Sequence, residues 1–75
     1  MEEAIRAIIG KVRPDIDFTT VPVATDFDNA GLDSLDHASI LFEVQEAFDV
    51  TIPDEVVDRL KTIATIVEYV VQHRG

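Results

Sequence analysis

Apolar residues recur at intervals of three and four near the start of the chain. Ala4, Ile5, Ile8, Ile9 and Val12 fall on one side of a helix, so an amphipathic helix is predicted over 2–12. It ends at Arg13, because the residue before Pro14 disfavours helical dihedrals. From Pro14 to Asp33 no period is visible, and Thr19, Thr20, Pro22, Thr25, Asn29 and Gly31 are turn and loop residues. Phe18, Val21, Val23 and Phe27 are predicted to pin this segment to the core. A loop of such length in a compact domain is often functional. Helical spacing resumes over 34–49 and again over 63–73, where Thr62 is the N-cap and Ile63, Ile66, Val67, Val70 and Val71 face inward. Between them, Ile52-Pro53-Asp54-Glu55 marks a brief helix starting at Pro53, with proline in its first turn and acids at the positive dipole end. Val50-Thr51-Ile52 is too short to build a sheet. The expected fold is all-α, a small bundle of three main helices plus one short helix, with a long loop between the first and second.

Helix 34–49 carries more than one apolar face. At 100° per residue, Ile40, Leu41, Val44, Ala47 and Phe48 share a broad arc that is the expected core face. Leu35, Ala38 and Phe42 gather on another side, bordered by Asp36, Ser39, Glu43 and Glu46. In so small a protein this second group forms an apolar patch rimmed by carboxylates, open to a partner. The alternative places Phe42 beneath the long loop.

Size and charge narrow the functions. Seventy-five residues suffice for one domain, 1–75, near the lower limit for a core without staples. There is no cysteine, hence no disulfide framework, thiolate metal site or thiol nucleophile. No apolar run approaches the roughly 20 residues that span a bilayer. Met1 is followed by Glu2 and Glu3 rather than a basic, then apolar, leader. A cytoplasmic protein, monomeric, is expected. The net charge is −9, with no Lys or Arg between Arg13 and Arg59 and ten carboxylates from Asp26 to Asp58. Such a surface repels nucleic acid and anionic lipid and attracts basic protein patches.

Ser34 stands where the loop becomes a helix, in Gly31-Leu32-Asp33-Ser34-Leu35-Asp36. Asp33 with Asp36 three residues later fits a capping box, which leaves Ser34 without structural duty. The competing reading makes Ser34 itself the N-cap.

This hexapeptide resembles the Gly-x-Asp-Ser-Leu-Asp attachment motif of acyl carrier proteins. The resemblance runs on through Glu46-Ala47-Phe48-Asp49 and Ile52-Pro53-Asp54-Glu55 to Glu68-Tyr69 in the last helix, in order and at the right spacing. It implies that Ser34 carries 4′-phosphopantetheine, added from coenzyme A by a Mg²⁺-dependent phosphopantetheinyl transferase, with Asp33, Leu35 and Asp36 as flanking motif. Acyl groups then ride as thioesters on the arm of a non-catalytic carrier. The face of Leu35, Asp36, Ala38, Phe42, Glu43 and Glu46 would meet basic docking patches of acyl-transferring or acyl-activating enzymes in fatty acid, polyketide or related metabolism. The chain departs from the family pattern at Ala30, His37, Ser39, Glu43, Gln45 and Ala47, which rearranges the acidic face and points to a specialised carrier.

Other classes fit less well. Leu32-Asp33-Ser34-Leu35 is similar to the motif of Gly-Asp-Ser-Leu esterases, and His37 lies one turn from Ser34. The preceding glycine is missing, however, as is any nucleophile elbow. His37 is expected on the helix surface, and His73 at the C-terminal dipole of the last helix. Asp26 and Asp28 begin a partial calcium-loop spacing, but Ala30 and His37 occupy ligand positions, so no dedicated metal site is expected. An acidic interaction module with no prosthetic group shares every feature except chemistry at Ser34.

Overall fold

The computed structural model describes residues 1–74. Four helices follow in order, α1 Glu2–Val12, α2 Ser34–Phe48, α3 Asp54–Val57 and α4 Ile63–His73, and no strand occurs among the described residues. The all-α expectation holds. The second helix ends one residue early, at the left-handed Asp49 (φ 53°), and Pro53 caps the short helix rather than beginning it.

α1 packs against both α2 and α4. The stripes that meet there are Ile5 and Ile9, Ile40, Leu41 and Val44, and Ile63, Ile66 and Val70, all buried. Ala4, Ala47 and Val71 were expected to face inward but are exposed, Val71 by 50%. Each lies at the edge of its stripe, where no neighbouring helix covers it. Phe48 is only half-buried.

The loop 13–33 is fastened at several points. Phe18 and Phe27 are each 2% exposed. The Arg6 guanidinium donates to the carbonyls of Phe18 and Val21. The Phe27 amide donates to the Lys61 carbonyl at 2.8 Å, and the Ala64 amide to that of Val23 at 3.0 Å, tying the loop to the start of α4. Gly31 turns the chain into α2 at φ +93°, a backbone that L side chains rarely adopt. The loop therefore delivers residues 32–34 to a fixed place.

Candidate functional site

Asp33 is the N-cap of α2, in extended conformation, and its Oδ1 accepts from the Asp36 amide at 2.9 Å. Asp36 Oδ2 accepts in return from the Asp33 amide at 3.1 Å, which completes the capping box. Ser34 is thus the first helical residue, not the cap, and it is exposed. Its hydroxyl makes no hydrogen bond among the described residues, nor do the amides of Ser34 and Leu35. A free hydroxyl stands beside two free amide donors at the positive end of a four-turn helix.

Arg13, which the sequence did not mark, organises this end of the molecule. Its Nε and Nη2 each lie 2.9 Å from a carboxylate oxygen of Asp15. Nη1 reaches Asp36 Oδ2 at 2.6 Å and the Gly31 carbonyl at 3.2 Å. The Asp33 amide and the Arg13 guanidinium together hold the Asp36 carboxyl below the usual carboxylate range. Arg13 does the same to Asp15, and its own pKa is raised by the two acids. Only 15% of the Asp36 side chain is exposed, so the carboxylate points inward to Arg13 more than outward.

The acidic surface is less one-sided in space than along the chain. Lys11 lies 3.6 Å from Glu43 and Lys61 lies 3.3 Å from Asp28, both cations arriving from outside the basic-free stretch. Leu35 and Phe42 are 78% and 59% exposed, so Phe42 does not lie beneath the loop. Ala38 and Glu46 are exposed beside them.

The histidines divide. His73 accepts its place at the end of α4, with Nδ1 2.9 Å from the Tyr69 carbonyl and its ring stacked on Tyr69. His37 is only partly exposed, turned toward the loop and the α3 segment rather than fully to solvent. Its Nε2 lies 2.8 Å from the Leu60 carbonyl and its ring meets Phe27 edge-on. It stands at i−3, i−4 and i−7 from Ile40, Leu41 and Val44, the helical signal that would have placed it inside. In the loop, Asp26 Oδ1 accepts from the Asp28 amide, closing a turn. No group of three or more metal-ligating side chains converges among the described residues, and no helix there is long and apolar enough to cross a membrane.

The family model described as phosphopantetheine attachment site matches residues 3–70. A mitochondrial acyl carrier protein of Dictyostelium discoideum is 46% identical over 50 residues, covering 67% of this chain and 42% of that protein. The chain thus spans less than half the length of that relative. An acyl carrier protein of Syntrophobacter fumaroxidans is 38% identical over 54 residues, covering 72% of this chain and 67% of that protein. With nearly its whole length matched, the chain belongs to the acyl carrier protein family, a family of non-catalytic carriers whose prosthetic group is phosphopantetheine.

Proposed function

We propose that Ser34 is the residue esterified by 4′-phosphopantetheine, and that the chain presents acyl thioesters to enzymes of fatty acid, polyketide or related acyl metabolism. The observation that carries this reading is the division of labour at the start of α2. Asp33 caps the helix, so the Ser34 hydroxyl is exposed and unengaged. The amides of Ser34 and Leu35 and the helix dipole favour the phosphodiester that would form there.

The docking face on this reading is the exposed patch of Leu35, Ala38 and Phe42 with the rim of Glu43 and Glu46. Asp36 contributes by fixing the start of α2 through Arg13. Basic patches on the transferase and on acyl-handling enzymes complement this rim, which speeds encounter while the small apolar area keeps complexes short-lived.

Incubation with coenzyme A, Mg²⁺ and a broad-specificity transferase is expected to add one phosphopantetheine by intact mass. Ser34→Ala is expected to remain folded and unmodified. Wild-type chain left unmodified by a transferase shown to be active would refute the carrier reading, and modification of Ser34→Ala would move the site elsewhere.

A further inference from the structure

Two cations from the end of α1 reach across to the acidic side of α2. Lys11 is in the last turn of α1 and Arg13 is its C-cap. Arg13 Nη1 lies 2.6 Å from Asp36 Oδ2, and Lys11 Nζ lies 3.6 Å from Glu43 Oε2. At 100° per residue Asp36 and Glu43 fall two turns apart on one side of α2. The same spacing puts Glu46 about 20° from Leu35 and about 40° from Phe42, next to the apolar patch. Glu46 is exposed and has no ion-pair partner among the described residues. Of the three carboxylates on this side of α2, two are answered from within the chain and one is free.

Surface pairs of this kind contribute little to stability. Their larger effect is on what a partner meets. A cation approaching Asp36 or Glu43 must displace Arg13 or Lys11, or lie beside it and be repelled. Arg13 resists displacement, because it also holds both carboxylate oxygens of Asp15 and the Gly31 carbonyl. The net charge of −9 still draws a basic enzyme from a distance, yet contact at the margin of α2 finds neutralised pairs.

We propose that Lys11 and Arg13 are specificity-determining residues. They occupy Asp36 and Glu43 with the chain's own cations, so the face beside Ser34 fits a partner enzyme whose docking patch is mainly apolar. Such a patch covers Leu35, Ala38 and Phe42 and needs one cation, opposite Glu46. An enzyme that docks through a row of cations is disfavoured, since two of its contacts are already taken. The proposal rests on Ser34 being the attachment residue.

The test measures phosphopantetheine loading by intact mass, at limiting concentration of a transferase with a basic docking patch, from about 0.01 M to about 1 M salt. Over that range the screening length falls from about 30 Å to about 3 Å. Lys11→Gln and Arg13→Gln are each expected to speed loading up to about fivefold at the lowest salt, the worth of one charge pair about 4 Å apart in water. The gain fades at the highest salt. Arg59→Gln removes the same charge from the groove between α3 and α4 and controls for net charge. The doubles Lys11→Gln/Glu43→Gln and Arg13→Gln/Asp36→Asn are expected to return to the wild-type salt dependence. A gain in either single variant no larger than that of Arg59→Gln overturns the proposal, as does one that survives in the doubles or at the highest salt. If Arg13→Gln does not fold, the exposed Lys11 and its double decide it. A chain that gains no mass from an active transferase overturns the Ser34 reading and this one together. A chain that loads with one salt dependence in every variant overturns this one alone.

Discussion

Phe42 and Phe27 offer a controlled pair: one ring faces water on α2, the other closes the core from the loop. Phe42 is 59% exposed, so of the roughly 200 Å² of a phenylalanine about 80 Å² is covered. At about 25 cal/mol per Å² that burial contributes about 2 kcal/mol, an upper bound because the unfolded chain is partly compact. Alanine retains some of the contact and gains about 0.5 kcal/mol in helix propensity. Phe42→Ala is therefore expected to cost about 1 kcal/mol, from the balance of those figures. Phe27, 2% exposed, is expected to cost about 3–5 kcal/mol on the same change. A chain of 75 residues has a stability of about 4–11 kcal/mol. Phe27→Ala thus brings the protein close to unfolding while Phe42→Ala leaves it folded, with the half-buried Phe48 in between. Urea unfolding followed by circular dichroism reads the stabilities, and phosphopantetheine loading at limiting transferase reads docking. Phe42→Ala is expected to slow loading more than its small stability loss explains. Equal destabilisation by the two changes, or unchanged loading in Phe42→Ala, would refute the assignment of Phe42 to a partner face.

Two further outcomes follow from the helix ends. Asp15 and Asp36 titrate below the usual range in the folded chain, so their contribution is present above the ordinary carboxylate value of about 4 and is lost as pH falls through the folded values. Arg13→Gln is therefore expected to lower the melting temperature at neutral pH and much less in strong acid; parallel losses at both would show that Arg13 acts by packing alone. Asp49 closes α2 at φ 53°, a strained backbone for a side chain, and places a negative charge at the negative end of the helix. Asp49→Gly is expected to stabilise by about 0.5–1 kcal/mol, or about 2–8 °C in a thermal melt, and a lower melting temperature would contradict this account.

Local signals were readable in the sequence because their causes are local. Thr62 and Asp33 cap the helices they precede, Pro14 stops α1, and the helical spacing of apolar residues sets where α1 and α4 run. The exposure of Ser34 followed from the same local logic, since one capping aspartate leaves its neighbour free. Partners distant along the chain were not readable. Arg13 reaches Asp36 across the whole loop, and nothing in the spacing of either residue announces the other. Lys11 and Lys61 likewise meet acids that look unopposed in sequence. A helical wheel gives direction around one axis but not which arcs a neighbour covers. It therefore placed Ala47 and Val71 inside and left His37 outside, although His37 shares the stripe of Ile40, Leu41 and Val44.

The capping of α2 by Asp33 also separates two lifetimes. Had Ser34 held the helix start with its own oxygen, each esterification would have unmade about 1 kcal/mol of capping and each removal would have restored it. Loading would then have been linked to folding, and the bare and armed forms would have differed in stability. With the aspartate in that position, a group attached to Ser34 on the proposed reading could be renewed many times on an unchanged helix. On that reading, an enzyme approaching α2 would meet the same surface before and after the arm is in place.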